Sequence, residues 1–303
     1  MNTKSPFSLY DFLGYMVPGI VILYLFQLFQ SISGIDIPSD TLKKASSIYL
    51  LGDADQYIKF ISMAYIIGHV VNYLSSITIE KFSIWMFGYP AYFLLNKGKP
   101  KYLKKDGIKL IAEWLENDSK KNIHKWVKRK LIHSRFRLIN NLGQYQIRSS
   151  TWRLILWLLL LPISILDFIC GKIGGLRYYY TNQMDTELAV IVKEKYEKII
   201  NGHTITNHEF DFQRVINHYY YEKYDNHKFR FDNYVALFGF ARALSLIFCF
   251  SAICFIFYDL IAGILFLILS YVFFMAFMKF YRRFSLESYM CLIVDSNISI
   301  LVK

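Results

Sequence analysis

Two long apolar stretches near the carboxyl-terminal end of the chain decide the fold. The stretch at Val235–Tyr258 reads VALFGFARALSLIFCFSAICFIFY, and the stretch at Leu260–Phe280 reads LIAGILFLILSYVFFMAFMKF. A helix needs about 20 mostly apolar residues to cross a bilayer, so each stretch predicts one transmembrane helix. Because only Asp259 separates them, the two helices are expected to form a tight hairpin.

Two further spans are predicted in the first part of the chain, at Phe12–Phe29 and Tyr57–Ile79. The composition agrees: 54% of the 303 residues are apolar and 19% are charged, against about 45–50% and about 25% in soluble proteins. High apolar content with low charge excludes a disordered chain. Four cysteines without a CxxC pair exclude a disulfide framework and a cysteine zinc site. We therefore predict an all-α polytopic membrane protein with four transmembrane helices.

A fifth apolar segment, Leu154–Cys170, is shorter and contains Pro162 and Asp167. Residues 81–153 carry 17 Lys or Arg against four acids, which places them in the cytoplasm by the positive-inside rule. If the fifth segment crossed the membrane, the basic residues that follow the last span would lie outside. If it does not cross, every loop obeys the rule. We therefore favour a re-entrant or interfacial helix; a five-span protein with residues 171–234 outside is the alternative.

This topology gives three regions and a location. Residues 1–80 form an amino-terminal transmembrane hairpin, residues 81–234 a basic cytoplasmic helical region that includes the apolar helix 154–170, and residues 235–303 a carboxyl-terminal hairpin with a short tail. We expect both termini in the cytoplasm, where the basic loops face anionic lipid headgroups.

The basic charge concentrates in one run that carries eight Lys or Arg and no acid. Such a run is typical of a surface that binds an anionic partner, here lipid headgroups, a nucleic acid or a nucleotide signal. The alternative is the ordinary cytoplasmic charge bias beside a membrane. The residues are Lys120, Lys121, Lys125, Lys128, Arg129, Lys130, Arg135 and Arg137.

Polar residues inside the predicted spans are costly in lipid and are therefore candidate site residues. His69 and Asn72 lie three positions apart and so share a helix face; they either line a pore or form hydrogen bonds between helices. Arg242 lies just inside the third span, at the depth of Asp11 and Glu80. We expect an ion-pair cluster with Asp11 as the first-choice partner, the alternative being an Arg242 side chain that extends to the headgroups.

The first span contains Pro18 with Gly14 and Gly19 on either side. Proline removes one backbone hydrogen bond, so a kink or hinge is expected there. The two glycines would also allow another helix to approach closely.

Catalytic motifs are missing from the sequence: it contains no HExxH, GxSxG, Walker loop or GxGxxG. His203, His208 and His218 belong to the densest group of metal-ligand residue types, but their spacing matches no zinc template. We therefore predict no catalytic, cofactor or metal site.

Two local patterns resemble uncharacterised bacterial multi-span membrane proteins associated with anti-phage defence loci, including CRISPR-linked and retron-like membrane effectors. One is YDFLGYMVPG at Tyr10–Gly19, and the other is Gly68-His69 followed by Glu80 and Gly88-Tyr89-Pro90. A weaker one is Arg242 at the start of a hairpin that ends in Tyr281-Arg282-Arg283. The resemblance covers about a third of the chain. It implies an effector that disturbs the inner membrane after a cytoplasmic partner senses infection.

Three functional hypotheses follow. The leading one is a homo-oligomeric effector that alters membrane permeability or potential when a cytoplasmic protein, nucleic acid or nucleotide binds. The second is a membrane anchor or scaffold that recruits a soluble partner. The third is a membrane-bound enzyme that acts on lipid or nucleotide through the region around His203–His218.

Overall fold

The computed structural model describes residues 11–33, 54–95, 150–200, 212–223 and 225–295. All regular elements in these ranges are helices, and no strand occurs among them. The predicted all-α class is thus confirmed. Four of the described helices are long and apolar enough to cross a membrane, namely Phe12–Ser33, Tyr57–Leu94, Phe229–Phe255 and Leu260–Val294.

The first two long helices each contain a π-helical turn. Helix α1 begins with the π turn Phe12–Met16 and continues as Val17–Ser33; helix α2 comprises Ala54–Ser75, the π turn Ser76–Glu80 and Lys81–Phe87. Gly88, at a φ of 86°, ends α2, a conformation that glycine adopts without strain. Pro90 then starts the short helix α3, Pro90–Leu94, where the missing N–H of proline costs nothing.

The middle of the chain folds into shorter helices. These are α4 (Ser150–Leu159), α5 (Leu161–Leu166, extended by the π turn Asp167–Ile173), α6 (Arg177–Thr181), α7 (Thr186–Ile199) and α8 (Phe212–Lys223). Pro162 lies in the first turn of α5, so the predicted apolar helix 154–170 is broken after Leu160 rather than continuous.

The carboxyl-terminal hairpin consists of α9 (Asp225–Phe255) and α10 (Leu260–Val294). Asp259 accepts hydrogen bonds from the backbone N–H groups of Ile261 and Ala262 and so caps α10. Ser245 and Ser270 bind each other's backbone carbonyls at 3.0 and 2.9 Å, which fixes the register of the two antiparallel helices.

Helices α1 and α2 pack closely along two glycines. A Cβ on Gly19 would overlap the carbonyl oxygen of Ala64, and a Cβ on Gly68 would overlap that of Tyr15. At the far end of α1, Phe29 packs edge-on against Phe255 and Tyr258. The end of α1 therefore lies beside the α9–α10 turn, and Asp11 lies at the opposite end of the bundle.

A group of helices at that opposite end packs around a hydrophobic core of its own, and we name this group the cap. It is built from α3, α7, α8, the first turns of α9 and the last turns of α10. The Met184 N–H donates to the Leu94 carbonyl at 3.1 Å, which joins α3 to the segment before α7. Buried members of the cap include Tyr92, Val192, Phe212, Ile216, Tyr289 and Leu292.

One buried lysine fastens the end of α10 into the cap. The Lys195 Nζ donates to the carbonyls of Ile293 and Asp295 at 2.8 and 2.7 Å, and the Tyr219 hydroxyl donates to the Asp295 carboxylate at 3.0 Å. A cation at a helix carboxyl terminus satisfies carbonyls that have no partner within the helix.

Lys195→Met should lower the free energy of unfolding by about 1–2 kcal/mol, because it removes two charge-assisted hydrogen bonds and keeps the length of the side chain. Thermal unfolding of the detergent-solubilised protein measures this. Lys193→Met, at a half-buried position of the same helix, is the control and should change stability little. Equal losses in both variants would contradict the assignment.

Candidate functional site

A buried arginine joins α9 to α2 within their apolar parts. Arg242 is 8% exposed. Its Nη2 donates to the Asn72 Oδ1 at 2.7 Å, its Nε donates to the Ser75 Oγ at 3.2 Å, and its Nη1 forms an ion pair with Glu80. We call these four residues the Arg242 network. Arg242 lies 13 positions before the end of α9, which is about 20 Å along the helix axis.

The π turn of α2 brings the partners of Arg242 onto one side of that helix. Asn72 and Ser75 lie on adjacent turns, as positions three apart do. A π turn takes more residues than an α turn, and the π turn Ser76–Glu80 thereby returns Glu80 to the face of Asn72 and Ser75. The three side chains then meet one guanidinium, whose planar fork of donors suits several acceptors at once.

The structure places the predicted ion-pair residues as follows. Glu80 forms an ion pair with Arg242. Asp11, which we expected as the first partner, immediately precedes the π turn of α1. The Arg242 side chain is enclosed between helices rather than extended towards a headgroup layer, because α2 supplies its acceptors.

His69 and Asn72 lie in different environments. Asn72 is 5% exposed and bonds to Arg242, the geometry of a hydrogen bond between helices. His69 is exposed; its ring stacks on Tyr15 with 3.7 Å between ring centroids and meets the edge of Tyr65 at 4.5 Å. The close contact at Gly68 turns the Asn72 side of α2 into the bundle and leaves His69 at its surface.

The predicted hinge residues lie where α1 changes from a π to an α helix. Gly14 is buried within the π turn, and Pro18 and Gly19 are buried in the first turn of the α-helical part. The π turn accommodates Pro18, which cannot donate to the helix ladder. Gly19 makes the close approach to Ala64 of α2 described above.

A second buried charge cluster, which we did not predict from the sequence, lies in the apolar segment itself. Asp167 is 1% exposed. It accepts hydrogen bonds from Arg177 Nε at 3.0 Å and from the Tyr180 hydroxyl at 2.6 Å. The sequence contains a pattern that could have indicated this cluster, because a buried carboxylate needs a partner. Asp167 lies inside an apolar stretch, and Arg177 follows it ten residues later.

Tyr180 acts as a hydrogen-bond donor in this cluster. Burial, followed by its hydrogen bond to the Asp167 carboxylate, raises the pKa of the Tyr180 hydroxyl well above its usual value. The hydroxyl is therefore protonated at neutral pH. The Arg177 guanidinium lies over the Phe87 ring at 5.0 Å from its centroid, which ties the cluster to the end of α2.

Several predicted residues lie outside the described ranges. The basic run from Lys120 to Arg137 belongs to them, as do His203 and His208. His218 is described and lies exposed on α8. Among the described residues, no group of three or more His, Cys, Asp or Glu side chains is placed to hold a metal ion.

Comparisons with known proteins found no relative of this chain. No protein-family model matches the chain, and neither the curated proteins nor the solved structures give a match. The structure itself defines the class: a helical bundle with four helices long and apolar enough to span a membrane, joined on one side to a helical cap.

Proposed function

We propose that this protein is an oligomeric bacterial inner-membrane effector that changes membrane permeability when a cytoplasmic signal or partner reaches its cap. The Arg242 network carries the proposal. Charged residues within transmembrane helices are expensive, and where they occur they mark ion paths, relays or gates. A protein that only needed an anchor would gain nothing from a guanidinium and a carboxylate held between two apolar helices.

The arrangement of the chain supports a topology with four spans and with the cap in the cytoplasm. The hydrogen bond between Met184 and Leu94 keeps both residues on one side of any bilayer that the four helices cross. The sequence between them contains one long apolar stretch, the 17-residue segment Leu154–Cys170. A single crossing there would separate the two residues, so the stretch enters and leaves on the side of the cap.

The contacts of this apolar stretch also support a re-entrant segment. The Cys249 thiol approaches the Leu159 carbonyl at 3.8 Å, and Leu160 and Ile163 are fully buried in one core with Phe274. A break in a helix is tolerated at membrane depth where protein covers it. The α9–α10 hairpin provides this cover.

Helix α10 connects the cap to the bundle without interruption. Its 35 residues correspond to about 52 Å. Tyr289 and Leu292 lie in the core of the cap, and Phe274 and Phe277 lie in the core of the bundle. Since a packed helix moves as a rigid unit, a change in the cap would reach the bundle through α10.

One protomer offers no room for an aqueous path between α9 and α10. Phe274 and Phe277 are fully buried there, and Phe238 packs against Tyr281 with 5.2 Å between ring centroids. This packing closes the α9–α10 interface to ions, and the proposal places the path between copies. This is the physical reason for placing an oligomer in the proposal.

Ion flux tests the proposal directly. The full chain is reconstituted into vesicles that contain anionic lipid and an ion-sensitive dye, and short RNA, DNA and cyclic nucleotides are enclosed as triggers. We expect dye-reported flux above that of empty vesicles, and its loss in the charge-free variant Arg242→Met with Glu80→Met. A monomeric protein without flux under every trigger would contradict the proposal.

The cap has an extensive core of its own, and this observation favours membrane anchoring as the second candidate function. Its fully buried residues come from five helices, as expected of a docking module for a soluble partner. Exchanging the four spans for unrelated ones separates the two functions. An anchor keeps its cellular activity after the exchange, whereas an effector that acts through Arg242 loses it.

A further inference from the structure

Helix α2 presents a regular stripe on its outer face. The side chains follow one another at intervals of four, three, four and three residues, which is the spacing of a heptad seam. We call this set the α2 seam. Ser62, Ile66, His69 and Tyr73 are exposed on it and Ser76 is half-buried.

The seam has a polar group near the middle of the bilayer. His69 lies ten residues after Lys59 and twelve before Lys81, so it is about 15 Å and about 18 Å along the helix from these two charges. The hydrocarbon layer is about 30 Å thick. His69 therefore lies close to the midplane of a membrane that α2 crosses.

The imidazole of His69 has ring contacts but no hydrogen bond within the described part of the protomer. Tyr15 stacks on the ring, Tyr65 packs against it at nearly a right angle, and the two hold its orientation. Lipid tails offer neither donor nor acceptor, and polar side chains within membranes face other helices or water rather than hydrocarbon. Something other than lipid should cover this position.

From these observations we infer that the α2 seam packs against the same seam of further copies of this chain. Copies inserted in one orientation bring their α2 helices together in parallel and at equal depth. Parallel helices with a heptad seam cross at about 20°. Ser and His side chains then form hydrogen bonds across the interface, as polar side chains between transmembrane helices commonly do.

The seam would also line the axis of the assembly. Ser62, His69 and Ser76 follow at intervals of seven residues, about 10.5 Å apart along the helix, and Ile66 and Tyr73 alternate with them. Polar groups would thus recur over about 21 Å of the hydrocarbon layer, which is about 30 Å thick. This inference rests on the membrane placement proposed above and identifies where the permeable path would run.

Disulfide cross-linking in membranes tests the seam. The four native cysteines (Cys170, Cys249, Cys254 and Cys291) are replaced by serine, and single cysteines are introduced as Ser62→Cys and Ser76→Cys. The matched control is Ile264→Cys on α10, which is 46% exposed and close to the same end of the bundle as Ser62. Only variants that elute like the parent protein in detergent are compared.

We expect cross-linked dimer as the main species for both seam cysteines and little for the control. Cross-linking at Ile264 alone, or at none of the three positions, would overturn the inference, because the seam would then face lipid. Flux without seam cross-linking would refute the seam and leave the proposed function standing. Seam cross-linking without flux would support the seam and contradict the proposed function.

Discussion

Arg242→Met is expected to destabilise the protein by about 3–5 kcal/mol, the usual cost of removing one partner of a buried ion pair. The substitution leaves the Glu80 carboxylate and the Asn72 amide without their donor. Asn72 is 5% exposed and cannot turn to water, whereas the Glu80 side chain is 25% exposed and is only partly hydrated. The expected effect exceeds that of an ordinary core substitution.

The loss is measured as a shift of the thermal unfolding curve in detergent, together with the yield of monodisperse protein. Arg283→Met is the matched control, since Arg283 is exposed on α10, and it should be nearly neutral. Combining Arg242→Met with Glu80→Met should recover most of the stability, because apolar residues replace buried ion pairs well. If the double variant is no more stable than Arg242→Met, the pairing with Glu80 is refuted.

Gly68→Ala is expected to have the second largest effect. It should lower the free energy of unfolding by about 3 kcal/mol, which is the upper end of the range for overpacked sites. The added Cβ meets backbone, the carbonyl group of Tyr15, and backbone cannot rotate away as a side chain does. Helices α1 and α2 must therefore separate. Gly19→Ala forces the same separation against Ala64.

The unfolding temperature and susceptibility to proteolysis of the first hairpin measure this effect. Val70→Ile serves as the control, because it adds one carbon at an exposed position of the same helix. We expect no measurable change from it. A Gly68→Ala protein as stable as the parent would show that the two helices are not in contact at this point.

The sequence was sufficient to predict the helical class and the four long apolar helices. Both follow from the length and composition of uninterrupted stretches such as Leu260–Phe280, which depend on no other part of the chain. The expectation that Arg242 has a partner also follows from the sequence, because a charge in an apolar helix requires one wherever that partner lies.

The choice of partners could not be derived in the same way. Asp11 and Glu80 both lie at suitable depth. To predict which of them faces Arg242, one must know how each helix is rotated about its own axis. The π turn Ser76–Glu80 changes that rotation, and no residue type in the sequence marks it. The same limit applies to His69 and Asn72, whose separation depends on how closely Gly68 approaches Tyr15.

The π turn in α2 also determines where the chain tolerates a change of length. Eight positions separate Asn72 from Glu80, and both side chains bind the same guanidinium only because of the wider turn between them. Deleting or inserting a single amino acid there rotates everything downstream by about 100° and carries the carboxylate away from its counter-ion. Any homologue that uses this pairing should therefore preserve the interval between the two residues more strictly than the identity of the residues within it.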